Sequence, residues 1–488
     1  MFFIGVDLGS TNIKAAVYEA PMRLVDRQSL PVQYIRENGR VEFDAERYAA
    51  GLEKLIGGML AENKIAPAEV RQIVFTGQAE SLVVLDADGN PLRNAISWMD
   101  ERSVEACEAL KKRFTPKEIE EVTGQLAVLP TWPATKILWL KAHEPEVYDK
   151  AATYLLLKDF IVFRLTGKLL ADCSIATFSL YFDIYEKKYW KKMLDAIGID
   201  ESKLPPLCEP CTVAGSLTRR AADAMGLTEA TKVNVGTLDH FTGMIGTGNV
   251  TPGGVTLSTG TVMALTAMAV EPAPRNSGIA MHYGFLPDTH VMLPVAESGG
   301  VSLEWFRRTC MGDIGYDKMN EELQRRELPN KLLFLPYLVG TNAPEFDADA
   351  SGVFFGLRQE TDIFDMACAV MEGVAFMLRK NCDSMRAGGT DISRIIATGG
   401  GAKSPVWCAL QANITGLPVV IPEEKEAACL GAAIIGAVSE GVFADYAAAA
   451  EACVSFTKRF EPTETEKFEK KYEKFCALYD AALKVTRL

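Results

Sequence analysis

The sequence predicts an α/β protein, because strand-like and helix-like segments alternate along the chain. Near the N-terminus, the strand-like runs VEFD and QIVFTG stand on either side of a helix-like run from Ala45 to Asn63. Two stretches also share a pattern of strand, polar turn and strand, one at the N-terminus and one near the middle of the chain. A length of 488 residues is too great for one compact core, so two large domains are expected.

The first hairpin lies in the sequence GVDLGSTNIKAAVYE, residues 5–19. Apolar residues alternate on both sides of its polar turn, at Ile4, Val6 and Leu8 before the turn and at Ile13, Ala15 and Val17 after it. The common phosphate loops, G-x-x-x-x-G-K-[ST] and G-x-G-x-x-G, run from a strand into a helix, and neither occurs here. The turn is therefore either an ordinary surface hairpin or a phosphate site of another design.

The second hairpin lies in GGVTLSTGTVMALTAM, residues 253–268. Val255 and Leu257 precede its polar turn, and Val262, Ala264 and Leu265 follow it. Two such hairpins suggest two related α/β halves that face one another across a cleft and offer N–H groups and hydroxyls to one anion. Coincidence is the alternative, because turns of Gly, Ser and Thr are common.

A candidate acid lies in VNVGTLDHFTGMIGTG, residues 233–248. A short strand is predicted to end near Val235 and to deliver Asp239 into a glycine-rich stretch that joins the two halves. Asp239 then lies beside a cleft. The alternative is an aspartate that sits in a turn or caps a helix.

A third glycine cluster occurs in RIIATGGGAKSPVWCALQANITGLPVVIP, residues 394–422. The pattern predicts a strand over 394–398, a tight bend over 399–401, and a helix that Ser404 caps, Pro405 opens and Gly416 closes. A bend without side chains lets a flat ligand lie against backbone, which suits an adenine. Alternatively, these glycines only permit close packing.

The composition excludes several classes of function. The net charge of −13 argues against nucleic acid or an anionic membrane as the main partner. The opening MFFIGVD is too short an apolar run for a signal peptide, and no stretch approaches the roughly 20 apolar residues of a membrane span. A cytoplasmic protein is therefore expected.

The cysteines and histidines give only weak indications. Among eleven cysteines, Cys208 and Cys211 form the one C-x-x-C pair, which is weak support for zinc or a disulfide, and we expect reduced thiols. There are four histidines and no H-x-x-x-H pair. A metal held directly by several protein ligands is therefore not expected.

Several motifs together carry a family resemblance. The stretch GVFFGLRQETDIFDMACAVME, residues 352–372, resembles the long signature of the FGGY family of carbohydrate kinases without departure. The family's earlier signature is only partly matched by TWPATKILWLKAH: Pro133, Lys136, Trp139 and Leu140 fit, whereas Thr131 and Ala142 do not. The order of the other motifs is also similar: GVDLGSTNIK, GQAES, ISWMDERS, GTLDHFTG, LSTGT, GGGAKSP and LGAAIIGA.

This resemblance implies two ribonuclease H-like (actin-like ATPase) domains that flank a central catalytic cleft. The N-terminal domain, residues 1–246, is expected to hold the sugar and the catalytic aspartate, and the C-terminal domain, residues 247–488, is expected to hold the nucleotide. The implied activity is an ATP- and Mg²⁺-dependent phosphorylation of a hydroxyl on a small sugar or polyol. A homodimer is expected by analogy alone, and the tail from Glu461 to Leu488 is predicted to be a surface helix without a catalytic feature.

The resemblance also implies roles for particular residues. Asp239 falls at the position of the general base, and Asp7 at the position that holds Mg²⁺ through water. The expected nucleotide and phosphate contacts are Ser10, Thr11, Asn12, Lys14, Thr259, Gly260, Gly300, Glu304, Gly400, Gly401 and Ala402. The expected substrate contacts are Gln78, Ala79, Glu80, Trp98, Asp100, Asp239 and His240.

The substrate is expected to be a ketopentose such as xylulose. Xylulokinase-like members usually have Gln-Met-His where this chain has Gln78-Ala79-Glu80, and glycerol kinases have Arg-Glu there. Many ketose kinases also have Gly-Glu-Arg-Thr-Pro where this chain has GTNAP, residues 340–344. A polyol such as glycerol, erythritol or a pentitol is therefore an alternative, and a nucleotide-gated actin-like sensor without kinase activity is another. Glu80 is alternatively a solvated loop charge, and Trp98 alternatively a core residue.

Overall fold

The computed structural model describes all residues from 1 to 488 as a mixed α/β chain. Its strands are β1 (Phe2–Leu8), β2 (Asn12–Glu19), β3 (Arg23–Pro31), β4 (Ile35–Glu37), β5 (Arg40–Phe43), β6 (Val70–Gly77), β7 (Leu82–Leu85), β8 (Ala95–Ile96), β9 (Thr153–Leu156), β10 (Ala171–Asp172), β11 (Phe182–Asp183), β12 (Lys188–Tyr189), β13 (Leu207–Cys208), β14 (Val213–Ser216), β15 (Lys232–Leu238), β16 (Gly253–Thr259), β17 (Met263–Met268), β18 (Met281–Tyr283), β19 (His290–Met292), β20 (Val295–Ala296), β21 (Leu333–Leu335), β22 (Val353–Phe355), β23 (Ile392–Gly399), β24 (Val419–Pro422) and β25 (Phe456–Phe460). Its α-helices are α1 (Ala45–Glu62), α2 (Val104–Lys111), α3 (Pro116–Thr123), α4 (Pro133–His143), α5 (Pro145–Lys150), α6 (Leu157–Thr166), α7 (Cys173–Ala176), α8 (Lys191–Ile197), α9 (Arg219–Met225), α10 (Asp239–Gly246), α11 (Gly300–Cys310), α12 (Tyr316–Leu323), α13 (Ile363–Ala387), α14 (Pro405–Thr415), α15 (Ala427–Ser439), α16 (Tyr446–Cys453) and α17 (Glu466–Thr486).

The chain divides into two compact units, each of which gathers several segments. The first unit comprises Met1–Val250, Ala280–Val291 and Glu426–Val454. The second unit comprises Thr251–Ile279, Met292–Lys425 and Ser455–Leu488. The division of the sequence after residue 246 stays a prediction.

A six-stranded sheet in the order β14-β15-β6-β1-β2-β3 forms the centre of the first unit. The predicted first hairpin is confirmed, because β1 and β2 pair antiparallel with Asp7 opposite Lys14. Strands β1, β6 and β15 run parallel to one another. Parallel strands end at the same edge of a sheet, so the residues at the ends of these three strands are brought together there.

Helices cover the two faces of this sheet. Asp44 caps the predicted helix α1 by accepting the N–H of Arg47, and the helix buries Leu52 and Ile56 against the strands. Helix α15 packs on β1 so closely that a Cβ at Gly5 would lie 2.1 Å from the carbonyl oxygen of Cys429. A glycine is required at that position in β1.

A second sheet of the first unit carries the order β4-β5-β8-β7-β9. It has its own apolar core, which includes Leu82, Ile96, Trp132 and Tyr154. The segments on either side of β7 and β8 contain several of the predicted substrate residues. This small sheet therefore supports the polar loops that the sequence marks as the sugar side.

The second unit repeats the topology of the first. Strand β16 pairs antiparallel with β17 and parallel with β23, and β23 pairs parallel with β24, which pairs antiparallel with β25. The order β17-β16-β23-β24-β25 thus matches β2-β1-β6-β15-β14 strand for strand in direction. The second predicted hairpin and the prediction of two related halves are confirmed.

The third glycine cluster folds as predicted. Strand β23 ends at Gly399, a short 3₁₀ turn follows over Gly401–Lys403, and the Ser404 hydroxyl accepts the N–H of Trp407 at the start of α14. Pro405 occupies the first turn, and Gly416 ends the helix with a φ of 68°. The cap residues alone were sufficient to predict these boundaries.

The stretch around Asp239 differs from the prediction. Strand β15 continues to Leu238, three residues beyond the expected end, and the glycine-rich segment that follows is the helix α10 rather than a connecting loop. A Cβ at Gly246 would lie 1.9 Å from the carbonyl oxygen of Ala427 on α15. The glycines therefore let two helices approach closely, and that packing outweighs their low helix propensity.

The C-terminal tail is helical as predicted, in α17. Most of this helix is exposed, while Phe468 and Phe475 are fully buried. None of the helices in the protein is long and apolar enough to cross a membrane.

Candidate active site

The carboxyl edge of the first unit's central sheet gathers three of the predicted site residues. Asp7 is near the end of β1, Gln78 directly follows β6, and Asp239 directly follows β15. In open α/β sheets, ligands bind at this edge. The strand order therefore explains why residues far apart in sequence occupy one place.

Asp7 lies in a setting that suits a nearby cation. Its Oδ1 atom is buried and has no hydrogen-bond partner. Burial and, secondly, the charge of Asp239 raise the pKa of Asp7 to about 7, while Lys14 acts in the opposite direction. An unpartnered carboxylate oxygen beside a second acid fits the expected Mg²⁺, which keeps several waters and needs few protein ligands. No group of three or more His, Cys, Asp or Glu side chains is placed to hold a metal.

Two side chains donate hydrogen bonds to the polar turn of the first hairpin. The carbonyl oxygen of Gly9 accepts the hydroxyl of Tyr48 at 3.2 Å and the amide of Gln78 at 3.4 Å. A Cβ at Gly9 would lie 2.6 Å from the carbonyl oxygen of Asn12, so the turn requires glycine. Ser10, Asn12 and the exposed Thr11 thus keep hydroxyl, amide and N–H groups at the surface of the turn.

Lys14 has a partner inside the first unit. Its Nζ atom donates to a carboxylate oxygen of Glu426 at 2.7 Å, and both side chains are about one-third exposed. Burial lowers the pKa of Lys14, but the hydrogen bond and charge of Glu426 outweigh that effect and leave the pKa raised. Lys14 therefore remains a cation beside the turn, with its charge partly balanced by Glu426.

Asp239 is the first residue of α10. Its Oδ1 atom accepts the N–H of His240 at 2.6 Å, and both residues are partly buried. This contact leaves the Oδ2 atom available to a ligand. The alternative of a helix cap is wrong in detail, because Leu238 holds the cap position.

Glu80 is partly buried rather than a solvated loop charge. Its backbone has a φ of 66°, in the left-handed region that is uncommon for a residue with a side chain. Lys136, which is fully buried, donates to the carbonyl oxygens of Glu80 at 2.9 Å and Ser97 at 2.8 Å. Burial raises the pKa of the Glu80 carboxyl, while Lys136 and a hydrogen bond with Thr131 oppose that rise. The strained backbone of Glu80 and the raised pKa of its carboxyl make this loop a candidate functional site.

A chain of hydrogen bonds connects the predicted substrate loops. Gln78 Oε1 accepts the hydroxyl of Ser81 at 2.8 Å, and that hydroxyl accepts the N–H of Trp98 at 3.0 Å. Trp98 is 38% exposed, so the alternative of a core tryptophan is wrong. Ala79, which has no polar side chain, lies between Gln78 and Glu80 and is partly buried.

Asp100 lies behind this surface and not on it. The residue is fully buried, and its two oxygens accept four hydrogen bonds, one from the N–H of Val41 and three from Arg102. A carboxylate has about four lone-pair positions, so none remains for a sugar hydroxyl. The Asp100 carboxylate thus supports the loop that carries Trp98, and its expected contact with the substrate stays a prediction that this geometry does not favour.

The second unit contains a separate cavity of 480 Å³. Six residues predicted for the nucleotide line it, whereas Ala402 is not among its lining residues. Its lining comprises Thr259, Gly260, Thr261, Gly300, Val301, Leu303, Glu304, Tyr316, Asp317, Met319, Asn320, Gly400, Gly401, Lys403, Ser404 and Trp407. A volume of several hundred Å³ is typical of sites for small molecules and cofactors.

Glycines allow the backbone of three segments to meet in this cavity. A Cβ at Gly300 would lie 2.4 Å from the carbonyl oxygen of Gly260, and one at Gly401 would lie 2.8 Å from the side chain of Thr259. The N–H of Gly300 donates to Gly260 at 2.8 Å. The hairpin turn, the start of α11 and the bend after β23 thus form one continuous wall of backbone.

Ser404 and Asn320 are two of the polar residues in the lining of the cavity that the sequence did not predict as nucleotide contacts, whereas Glu304 was predicted. The Ser404 hydroxyl donates to Asn320 Oδ1 at 2.7 Å, which orients the Asn320 amide nitrogen away from Ser404. Glu304 accepts two hydrogen bonds from Arg307 and one from Tyr316, and these contacts lower its pKa to about 2. In the sequence, the Ser404-Pro405 dipeptide indicates only a helix cap. No motif in α12 indicates that Asn320 belongs to a site.

Comparisons with known proteins agree with this architecture. The chain is 28% identical over 485 residues to the xylulose kinase of Staphylococcus xylosus, covering 98% of this chain and 100% of that protein. It is 29% identical over 464 residues to the xylulose kinase of Bacillus subtilis, covering 94% and 93% respectively. Among solved structures, the gluconate kinase from Lactobacillus acidophilus has a TM-score of 0.91 at 27% identity, with 98% of each chain covered.

The duplicated sheets and the cavity define a two-unit α/β protein of the actin-like ATPase type. The N-terminal domain model of the FGGY family of carbohydrate kinases matches residues 2–246, and the C-terminal domain model matches residues 255–440. The chain belongs to the FGGY family of carbohydrate kinases. It is therefore a phosphotransferase that acts on a sugar, and the family implies ATP as the phosphate donor.

Proposed function

We propose that this kinase phosphorylates a hydroxyl of a ketopentose such as xylulose, with Asp239 as the general base. The observation that carries the proposal is the position of Asp239, directly after β15 at the edge where Asp7 and Gln78 also lie. The names of the relatives from Staphylococcus and Bacillus support xylulose as the substrate.

In this reaction, the protein mainly has to position the reacting groups. In phosphoryl transfer, the attacking and leaving oxygens must lie roughly in line, and the enzyme supplies orientation and charge stabilisation. The Asp239 carboxylate accepts the proton of the attacking sugar hydroxyl, a contribution typically worth about 10² to 10⁴ in rate. Ser10, Thr11 and Asn12 donate hydrogen bonds to the transferring phosphate, and Lys14 adds positive charge.

Asp7 would hold Mg²⁺ through water at its buried, unpartnered oxygen. When bound, the ion supplies positive charge to the phosphate oxygens. We assign the nucleotide to the cavity of the second unit, whose lining includes Thr259, Gly400 and Gly401. Thr259 would face the phosphates, and the bend at Gly400 and Gly401 would lie against the adenosine.

A polyol is the second candidate substrate, and Glu80 favours it because this residue matches the glutamate of the Arg-Glu pair that glycerol kinases have there. A partly buried carboxylate can accept hydrogen bonds from two neighbouring hydroxyls, as either an open-chain ketose or a polyol presents them. The solved gluconate kinase adds a sugar acid to the substrates worth testing.

The proposal is tested by measuring ADP release with xylulose, ribulose, other ketoses, glycerol, erythritol, pentitols and gluconate. A ketopentose is expected to give the highest kcat/KM.

The Asp239→Asn variant is expected to lose sugar-dependent ADP release by at least about 10²-fold while it still binds ADP. Unchanged turnover in that variant would contradict the assignment of Asp239, and ATP hydrolysis that no sugar stimulates would favour a sensor.

A further inference from the structure

Strand β15, which ends at Asp239, contains a β-bulge. Its pairing with β6 is regular to Asn234 and resumes at Thr237, so Val235 and Gly236 together oppose Phe75. Gly236 has a φ of 60°, and a Cβ there would lie 1.8 Å from the carbonyl oxygen of Phe75. Bulges of this kind re-aim the strand end that follows them.

A fully buried lysine compensates for the ladder hydrogen bond that the bulge removes. Lys158 Nζ on α6 donates to the carbonyl oxygen of Val235 at 2.6 Å. The same ammonium forms an ion pair with Asp172, and neither side chain has any exposed surface. A buried charge pair is costly to form unless further hydrogen bonds satisfy it, which makes this arrangement a specific feature rather than simple packing.

Asp172 also accepts hydrogen bonds from Ser174. Its Oδ1 atom accepts the N–H of Ser174 at 3.0 Å and also the Ser174 hydroxyl. That hydroxyl in turn accepts the Thr237 hydroxyl at 2.8 Å and the N–H of Leu238 at 3.2 Å. The Ser174 hydroxyl therefore donates one hydrogen bond, accepts two, and has no capacity left for other partners.

The peptide before Asp239 is thus held on both sides. Ser174 binds the N–H of Leu238, and the Thr242 hydroxyl donates to the carbonyl oxygen of Leu238 at 3.0 Å. The carbonyl oxygen of Thr237 accepts the hydroxyl of Thr76 at 2.9 Å. All of these hydroxyls are buried, so water cannot replace them.

We propose that Lys158, Asp172 and Ser174, the β15 support cluster, are positioning residues that fix the backbone from which the Asp239 carboxylate reaches the substrate hydroxyl. This inference rests on the proposed role of Asp239. None of the three residues touches the substrate; they act by restricting the direction of one side chain. A misplacement of about 1 Å at a reacting group can cost about 10² in rate.

The test uses Ser174→Ala, because removing Lys158 or Asp172 would leave an unpaired buried charge and threaten folding. We expect kcat to fall by about 10- to 100-fold, with KM for ATP and for the sugar changed less than about twofold. Ser174→Thr keeps the hydroxyl and is expected to recover most of kcat. Ser179→Ala is the matched control, because Ser179 is equally buried but its hydroxyl accepts the N–H of Tyr181.

Melting temperatures separate positioning from loss of stability. Ser174→Ala and Ser179→Ala are expected to lower the melting temperature by similar amounts, whereas only Ser174→Ala lowers kcat. Equal kcat losses in both, or an unchanged kcat in Ser174→Ala, would overturn the inference. If Asp239→Asn is inactive while Ser174→Ala is fully active, this inference alone fails; if Asp239→Asn is active, the proposed function fails.

Discussion

At the scale of single residues, Glu80 combines features that a loop residue rarely combines. Its backbone is left-handed, its carbonyl oxygen binds a buried lysine, and its carboxyl is partly buried beside Thr131 and Lys136. A side chain held in this way loses little freedom when a ligand binds, which favours a role in recognition.

Glu80→Ala is expected to raise KM for the sugar by about tenfold or more and to leave KM for ATP within about twofold, because one buried hydrogen-bonding partner of the substrate is lost. Steady-state kinetics with each substrate varied in turn measures both constants. Glu80→Gln keeps the hydrogen-bonding shape and is expected to lose less. Equal increases in both KM values would count against a sugar-side role.

At this scale, the sequence predicts which residues lie near the site more accurately than it predicts whether each side chain is buried. Asp7, Gln78 and Asp239 were identified from motifs, and the strand order brings all three to one sheet edge. The same reasoning expected Asp100 to contact the substrate, although this residue is fully buried and its oxygens accept four internal hydrogen bonds. The reason is that its partners, Val41 and Arg102, are recognised only once the strands β5 and β8 are paired.

At the scale of secondary structure, elements with local signals were predicted well. The two hairpins, the helix α1 and the whole strand, bend and helix around Ser404 follow from residues within a few positions of each boundary. Helix α10 was missed because its glycines argue locally against a helix. Its stability comes from packing on α15, which lies nearly two hundred residues further along the sequence.

Two glycines of α10 allow that packing to be tested. Gly246→Ala is expected to lower the free energy of unfolding by about 1–3 kcal/mol, since the new Cβ would lie 1.9 Å from the carbonyl oxygen of Ala427. Gly243→Ala is the matched control on the same helix, because no other part of the protein lies within 4 Å of its Cβ position. That control is expected to be neutral or stabilising by up to about 1 kcal/mol, and urea denaturation compares the two. Equal stabilities would show that the close approach of α10 and α15 is not needed.

At the scale of the whole molecule, stability should depend on pH through a buried acid of the first unit. Burial raises the pKa of Asp159 to about 8, partly opposed by Lys158. In the unfolded chain an aspartate titrates near pH 3.9, so between these two values the folded state binds a proton that the unfolded state has released. Stability from this group therefore falls as the pH rises from about 4 to 8.

Asp159→Asn is expected to remove this dependence, because the amide keeps a hydrogen-bond acceptor but cannot ionise. The gain in melting temperature over the natural protein should be small at pH 5 and larger at pH 8. Thermal denaturation at both pH values measures the difference, with the exposed Asp149→Asn as the control. A gain that is the same at pH 5 and pH 8 would contradict the titration of Asp159.

The two units share one order and direction of strands, although the residues at the ends of those strands differ. The equivalent strand ends carry different residues: Asp7 lies near the end of β1 and Gln78 follows β6, while the equivalent β16 ends at Thr259 and the equivalent β23 ends at Gly399, before Gly400 and Gly401. The first unit thus presents polar and acidic side chains at this edge of its sheet, whereas the second unit presents a hydroxyl and backbone without side chains. Under the proposed function, the acceptor and the nucleotide depend on different units, so substitutions that change the acceptor need not alter the cavity of the second unit.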